Sequence, residues 1–163
     1  CADHIPYFNV DTLEELSGQS FGSSEDMERL DERSVNFDVY RSALILWAAG
    51  MEEPVVVDKP CGQVDILPTV SNLLGLEYDS RMLVGSDLLS DAPGLVIFSS
   101  RSWLTDRGFY DRYTQTFTPA EGGTMTPEEQ AAYVDAMKRT VQYKLGCTEK
   151  ILNSDFYRLA FGG

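Results

Sequence analysis

The sequence has little histidine, little cysteine and few basic residues, and it lacks long apolar runs. Of its 163 residues, one is a histidine and three are cysteines. Three widely spaced cysteines provide neither a disulfide framework nor a CxxC metal site. No run approaches the roughly 18 apolar residues of a transmembrane helix. The glycine-rich loops that hold phosphates, the GxSxG motif and a Cys/His dyad are also missing, which excludes the best-marked catalytic classes.

Basic residues are half as numerous as acidic ones. Thirteen lysines and arginines against 26 aspartates and glutamates give a net charge of −13. Such a surface repels nucleic-acid phosphates, so no nucleic-acid partner is expected. An anionic substrate can still bind where a metal ion supplies local positive charge. A hydrophobic content of 43% and a charged content of 24% are typical of a globular domain, and the length fits one domain over residues 1–163.

Hydrophobic periodicity predicts alternating helices and strands. Continuous apolar runs of strand length indicate buried strands, and 3.6-residue spacing indicates helices. The predicted strands are 43–47, 55–58 and 94–100; the predicted helices are 11–18, a surface helix beginning near 25, 65–75 and 126–153; a turn is expected at 85–89 and an antiparallel hairpin around 106–108. This order predicts a layered α/β fold with a mixed sheet, an antiparallel hairpin and a long C-terminal helix.

Two helices carry clear local signals. In GQVDILPTVSNLLGLE, Asp65 is the expected N-cap and Gly75 the expected terminator. Its apolar positions predict a core-facing surface formed by Ile66, Val70, Leu73 and Leu74. The later helix begins with the capping box Thr126-Pro127-Glu128-Glu129 and carries an apolar stripe of Val134, Met137, Val141 and Leu145. Gly146 interrupts this helix, which suggests close packing or a kink there.

The only histidine stands next to a carboxylate in the opening CADHIPYF. Histidine and aspartate are both common metal ligands, so Asp3 and His4 are half of a candidate metal site. Both can reach one ion only where the chain turns, and Pro6 favours such a turn by restricting Ile5. A divalent ion needs about four ligands, and the sequence contains no second histidine that would help to complete the set. A plain surface Asp-His pair is the alternative interpretation.

The predicted hairpin combines arginines with aromatic residues. Two interpretations are open: a surface that stacks against a sugar or binds a phosphate, or a hairpin with an aromatic inner face and a charged outer face. The residues concerned are Arg101, Arg107 and Arg112 with Trp103, Phe109, Tyr110 and Tyr113.

Several segments together resemble, in order and spacing, the C-terminal part of the lipoteichoic acid synthase family. These are sulfatase-like phosphoglycerol transferases of the alkaline phosphatase superfamily. The segments are Ala-Asp-His-Ile-Pro-Tyr (2–7), Tyr-Arg-Ser-Ala-Leu-Ile-Leu-Trp (40–47), Gly-Gln-Val-Asp-Ile-Leu-Pro-Thr-Val-Ser-Asn-Leu-Leu-Gly-Leu (62–76), Gly-Ser-Asp-Leu-Leu (85–89) and Lys-Ile-Leu-Asn-Ser-Asp-Phe-Tyr (150–157).

The resemblance implies a metal-dependent enzyme that moves glycerol phosphate from an anionic phospholipid to an envelope polymer or glycolipid. It assigns Asp3 and His4 as ligands of a divalent ion, usually Mn²⁺, with Mg²⁺, Zn²⁺ and Ca²⁺ as alternatives. Ala2 stands where the family usually has glycine, and Ile5 where it often has an aromatic residue. Asp65 and Pro68 are expected to be structural.

The resemblance also implies that the chain is the C-terminal fragment of a larger sulfatase-like catalytic domain. The nucleophile, the remaining acidic ligand and the membrane-spanning helices would then lie upstream. The whole enzyme is expected at the extracytoplasmic face of the cell membrane, and the fragment alone is expected to be inactive. Alternatives are a sulfatase, phosphatase or phosphoethanolamine transferase of the same superfamily, or a non-catalytic module that binds glycan or protein.

Overall fold

The computed structural model describes residues 10–18 and 41–162, in two compact units that divide after residue 56. The first unit contains helix α1, Val10–Ser17. It ends at Gly18, whose φ of +66° is the left-handed conformation that glycine adopts without a steric cost. The predicted helix is confirmed. It begins one residue earlier than predicted, at Val10, so Asp11 lies in its first turn.

The strands predicted at 43–47 and 55–58 are not formed. Both segments are irregular, and the side chains of Ile45 and Trp47 are 84% and 82% exposed. An apolar run becomes a strand only where a neighbouring strand supplies its hydrogen bonds. No ladder reaches these residues within the described part of the chain. Sequence pattern alone could not show this, because the pairing partner is not local.

The second unit, residues 57–163, contains the remaining helices and all the strands that the structure describes. The 3₁₀ turn Gln63–Asp65 leads directly into helix α2, and a second 3₁₀ turn, Ser80–Met82, follows it. The other elements are α2 (Ile66–Leu73), β1 (Val96–Ile97), β2 (Trp103–Thr105), β3 (Gly108–Asp111), β4 (Thr116–Pro119), α3 (Pro127–Asn153) and α4 (Phe156–Phe161).

The four strands form one antiparallel sheet in the order β1-β2-β3-β4. The predicted hairpin is confirmed: Thr105 pairs with Gly108, which leaves Asp106 and Arg107 as a two-residue loop. Gly108 has a φ of +146°, and an added Cβ would lie 2.3 Å from the Thr118 carbonyl oxygen. The α/β class with a long C-terminal helix is confirmed. The described sheet has no parallel pair, and the strand expected over 94–100 is only two residues long.

Helix α3 starts and ends as predicted. Thr126 Oγ1 accepts a hydrogen bond from the Glu129 amide at 3.2 Å, and Glu129 Oε2 accepts one from the Thr126 amide at 2.9 Å. Pro127 occupies the first helical position, where a missing N–H costs nothing. No helix within 10–18 or 41–162 is long and apolar enough to cross a bilayer.

The core lies between the sheet and α3. Trp103, Tyr110 and Phe117 are cross-strand neighbours on one face, with the Trp103 ring centroid 5.3 Å from that of Tyr110 and 5.6 Å from that of Phe117. Tyr133 of α3 meets the Trp103 ring edge-on at 5.8 Å, and Val141 is buried beside the cluster. The predicted stripe of α3 is confirmed, since Val134, Met137 and Leu145 pack against the same cluster.

Candidate functional site

The two predicted metal ligands, Asp3 and His4, lie outside the described residues. Within the described ranges, no three histidine, cysteine, aspartate or glutamate side chains lie close enough together to hold a metal ion. The ligand assignment for Asp3 and His4 therefore stays a prediction.

Two segments of the family resemblance lie together in the second unit: the start of the 62–76 segment and the 85–89 turn. Asp65 joins them by hydrogen bonds. This side chain is only 6% exposed. Its Oδ2 accepts from the Gly62 amide at 2.8 Å, and its Oδ1 accepts from the Ser86 amide at 2.7 Å. Asp65 was expected to cap its own helix, but its carboxylate makes no such bond. It joins the start of α2 to the 85–89 turn, which is a structural role of a different kind.

Two further side chains of α2 bind the same turn. The Thr69 hydroxyl donates to the Asp65 carbonyl at 2.6 Å and accepts from the Leu88 amide at 2.9 Å. On the outer side, Asn72 Nδ2 donates to Asp87 Oδ2 at 2.8 Å. Residues 63–69 (Gln-x-Asp-x-x-Pro-Thr) and residues 85–88 (Gly-x-Asp-Leu) are thus joined by hydrogen bonds. These bonds fix the position of the turn on the helix.

The turn also approaches the backbone of the 3₁₀ segment closely at Gly85. A Cβ added there would lie 2.0 Å from the Val64 carbonyl oxygen and 2.8 Å from the Asp65 amide nitrogen. Both neighbours are backbone atoms, which cannot move aside without breaking the Asp65 bonds. Only glycine fits at this position.

The predicted core-facing apolar surface of α2 is only half confirmed. Ile66 and Val70 are half-buried, whereas Leu73 and Leu74 are 55% and 67% exposed. The buried residues of the helix are Pro68, Thr69 and Ser71, so its inward face is partly polar. The hydrogen bonds to the 85–89 turn orient the helix, because leaving several buried polar groups unpaired costs more than exposing two leucines. The end of α2 follows the prediction: the Leu76 amide donates to the Ser71 carbonyl at 2.9 Å, after the residue Gly75.

The hairpin has the aromatic inner face of the second interpretation. Trp103 and Tyr110 are each 1% exposed, so neither ring is available to stack against a sugar. Arg101, Arg107 and Arg112 are exposed. The Arg107 guanidinium lies 5.1 Å from the Tyr133 ring centroid, as in a cation–π contact. The hairpin therefore offers exposed cations and the exposed ring of Tyr113, but the Trp103 and Tyr110 rings are not accessible to a glycan.

A cavity of about 860 Å³ lies between α3, β1 and the loops around α2, entirely within the second unit. Its walls are mainly apolar and include Leu95, Ile97 and Met137. Four basic side chains also line it: Lys59, Arg101, Arg107 and Lys144. The sequence had grouped Arg101 and Arg107 with Arg112, but nothing in the pattern placed Lys59 and Lys144 beside them. Each lysine is roughly 40 residues away from these two arginines along the chain, so only the tertiary structure brings the four side chains together.

Two ionisable groups near α2 have shifted pKa values. The hydrogen bond from Asn72, offset in part by burial, holds the pKa of Asp87 below the ordinary value. Burial, and then the charge of Asp65, raise the pKa of the Cys61 thiol. The Cys61 thiol, which is exposed, therefore stays protonated at neutral pH.

Two curated proteins of Bacillus subtilis are similar to this chain. The lipoteichoic acid synthase-like protein YvgJ is 29% identical over 128 residues, which cover 77% of this chain and 20% of the relative. Lipoteichoic acid synthase 2 is 29% identical over 125 residues, which cover 76% and 18%. The predicted resemblance is confirmed. Both matches fall in the C-terminal part of the relative.

The chain spans about a fifth of the length of these two curated relatives. No protein-family model and no solved structure matches it.

Proposed function

We propose that this chain acts as the C-terminal part of a metal-dependent transferase that moves glycerol phosphate from an anionic phospholipid to an envelope polymer or glycolipid. The observation that carries the proposal is the similarity to two lipoteichoic acid synthase relatives over about three-quarters of the chain. The structure supports it indirectly, because the helix and the turn that carry the resemblance are joined by Asp65 and Thr69.

In this proposal Asp3 and His4 supply two ligands of a divalent ion, with Mn²⁺ as the first choice. A carboxylate oxygen and an imidazole nitrogen suit Mn²⁺, Mg²⁺ and Zn²⁺ to different degrees. Such an ion lowers the pKa of a bound hydroxyl and screens phosphate charge. The nucleophile and the other ligands would come from a preceding part of the same enzyme, at the outer face of the cell membrane.

The hydrogen-bonded unit around α2 has no direct chemical role in the proposal. Every oxygen of the Asp65 carboxylate already accepts a backbone N–H, so it is not a free general base. The hydrogen bonds of Asp65 stabilise residues 62–89, which in the sequence lie between the proposed ligands and the strands of the sheet. Variants of Asp65 are therefore expected to change stability, and variants of Asp3 or His4 to change metal binding and activity.

The test uses the complete polypeptide that contains this sequence. We expect release of diacylglycerol from phosphatidylglycerol in the presence of Mn²⁺, and loss of at least two orders of magnitude in rate in the Asp3→Ala and His4→Ala variants, as is typical when a metal site is lost. Asp58→Ala, an exposed carboxylate of the second unit, serves as the control. Full activity of the double variant would refute the ligand assignment.

The same assay separates the rival enzymes of the superfamily. A sulfatase or phosphatase would release sulfate or inorganic phosphate from a simple ester and leave phosphatidylglycerol intact, whereas a phosphoethanolamine transferase would require phosphatidylethanolamine as the donor. On its own, the 163-residue chain is expected to bind Mn²⁺ weakly and to be inactive, since two ligands do not complete a site. Calorimetry on the chain measures this; sub-micromolar affinity that requires Asp3 and His4 would contradict it.

A further inference from the structure

The cavity of the second unit combines apolar walls with basic side chains that form no ion pair with any carboxylate of the described residues. In the described part of the chain, ion pairs join only Arg81 to Asp79 and Arg158 to Asp155. None of the four cavity cations takes part in them. In a protein with a net charge of −13, cations left without a carboxylate partner are unexpected, because acidic side chains outnumber basic ones two to one.

Two of the four cations are held by backbone carbonyls. Lys59 Nζ donates to the Ser90 carbonyl at 2.7 Å and to the Ala92 carbonyl at 3.0 Å. Lys144 Nζ donates to the Val84 carbonyl. A carbonyl fixes the position of an ammonium group but does not neutralise its charge. Both lysines are half-buried, so their charge is less screened than that of an exposed lysine.

The other two cations are arginines on the loops that flank β2. Arg107 lies over the Tyr133 ring, and the hydroxyl of that tyrosine is 2.8 Å from Thr105 Oγ1. Arg101 has a φ of +66°, a left-handed conformation that is unfavourable for a side-chain-bearing residue. Backbone strain of this kind costs about 1 kcal/mol or more and is often found at functional sites. Both guanidiniums are exposed, so their hydrogen-bond donors are accessible to a ligand.

The acidic residues of the cavity wall cancel only part of this charge. Asp65 accepts from two backbone amides, and Asp87 accepts from Asn72 and the Leu89 amide, which fix the positions of both carboxylates without neutralising them. Asp106 is the third acidic residue of the wall. Four cations and three anions leave a formal charge of about +1 in the cavity, against −13 for the chain.

We propose that this cavity binds an amphiphilic phosphate ester, with the phosphate on the guanidiniums of Arg101 and Arg107 and the apolar group against Leu95, Ile97 and Met137. The charge is complementary to an oxyanion, and the arginine fork matches phosphate geometry. The volume of about 860 Å³ lies in the usual range for small-molecule pockets, whose walls are mostly apolar with a few polar groups. The cavity residues all lie between 59 and 145, so the proposal requires neither Asp3 nor His4.

The test compares three probes on the 163-residue chain by calorimetry at low salt: octyl phosphate, inorganic phosphate and octyl glucoside. We expect octyl phosphate to bind at least about tenfold more tightly than either of the others, because each of them lacks one half of the recognition. Added NaCl should weaken the binding. Equal affinity for inorganic phosphate would indicate a free-anion site, and equal affinity for octyl glucoside a purely apolar one; either result overturns the proposal.

The decisive variant is Arg101→Gly. It removes the guanidinium and at the same time relieves the left-handed backbone, so it is expected to fold normally and to bind octyl phosphate about tenfold more weakly. Gln115→Gly is the matched control, since Gln115 has a φ of +56° and is not part of the cavity wall. Unchanged affinity in Arg101→Gly, or equal losses in both variants, would refute the assignment. Asp3→Ala with His4→Ala should leave binding unchanged, which separates this proposal from the proposed transferase.

Discussion

Two neighbouring regions of the second unit are stabilised mainly by different interactions. Around α2, three of the four buried residues are polar, and leucines are exposed; the four are Asp65, Pro68, Thr69 and Ser71. Between the sheet and α3, most of the buried side chains are aromatic rings and Val141, and the buried polar ones are Ser102 and Thr105. The first region depends on hydrogen bonds of fixed geometry and on a close backbone contact at Gly85. The second depends on apolar area and ring packing.

Because of this difference, the two regions are expected to tolerate different substitutions. An apolar core accepts changes of similar volume at modest cost, since packing energy is spread over many contacts. A buried polar network does not, because one lost partner leaves a desolvated donor or acceptor unpaired. The stability of the α2 region should therefore depend mainly on which hydrogen-bonding groups its side chains carry. The stability of the sheet region should depend mainly on side-chain volume.

The largest expected effect is in the aromatic core. Trp103→Ala should lower the free energy of unfolding by about 3–5 kcal/mol, because it empties the centre of the ring cluster. Trp103→Phe should cost much less, since it retains a ring and removes the indole N–H, which is buried without a partner in the described residues. Urea unfolding monitored by circular dichroism measures both. If both variants lost the same free energy of unfolding, side-chain volume would not be what matters in the sheet region. The proposed difference between the two regions would then be wrong.

The next effect is at Asp65. Asp65→Asn changes volume little, but it places an amide nitrogen where a carboxylate oxygen now accepts from Gly62 or Ser86. We expect a loss of about 2–3 kcal/mol, with faster amide exchange confined to the 62–89 segment. Asp91→Asn, an exposed carboxylate, is the control. A loss below about 0.5 kcal/mol, typical of an exposed site, would show that this polar network is not what holds α2.

Glycine to alanine at position 85 tests the close contact between the turn and the 3₁₀ segment. Gly85→Ala should cost about 1–3 kcal/mol, because the new methyl overlaps the Val64 carbonyl oxygen. The same change at Gly62 meets no atom within 4 Å and should be nearly neutral. Thermal unfolding of the pair isolates the contact. If Gly62→Ala were as destabilising as Gly85→Ala, the effect would have to come from backbone flexibility.

Gly146→Ala should stabilise the protein slightly. The residue lies inside α3, and an added Cβ would meet nothing within 4 Å, so the close packing suggested by the sequence is not present. Replacing glycine by alanine in a helix interior is expected to add about 0.5–1 kcal/mol to the free energy of unfolding. Chemical denaturation measures the gain, and a loss of stability would show that α3 requires a local distortion there.

The smallest expected effect is a pH dependence at Asp87. The Asn72 hydrogen bond lowers the Asp87 pKa in the folded chain. This group therefore contributes stability above the pKa of the unfolded chain, and the contribution is lost as the pH falls through the folded value, below about pH 4. Asn72→Ala should lower stability slightly at pH 7 and leave it unchanged near pH 2. A larger difference at pH 2 would contradict the assigned sign.

Local signals were sufficient for both ends of α3, the C-terminal end of α2 and the hairpin. Thr126, Pro127 and Glu129 act within one turn, and the Asp106-Arg107 loop with Gly108 acts within four residues, so their structure follows from their immediate neighbours. The C-terminal end of α2 is also formed locally, because the amides of Gly75 and Leu76 donate to the carbonyls of Asn72 and Ser71. The family resemblance, too, needed only the order and spacing of residues.

The inward face of α2, the role of Asp65 and the cavity depended on contacts between distant positions. Asp65 binds Ser86, 21 residues away, and Lys144 binds Val84, 60 residues away. An apolar run predicts burial only on average. Residues 43–47 have no strand partner within the described residues and are mostly exposed, and on α2 the hydrogen bonds to the 85–89 turn decide which face is buried. The ends of α3, the C-terminal end of α2 and the hairpin loop followed from the amino-acid sequence alone, because their hydrogen bonds close within a few residues. Only the tertiary structure decided which faces are buried and which charges share a cavity, because both depend on partners that folding brings together.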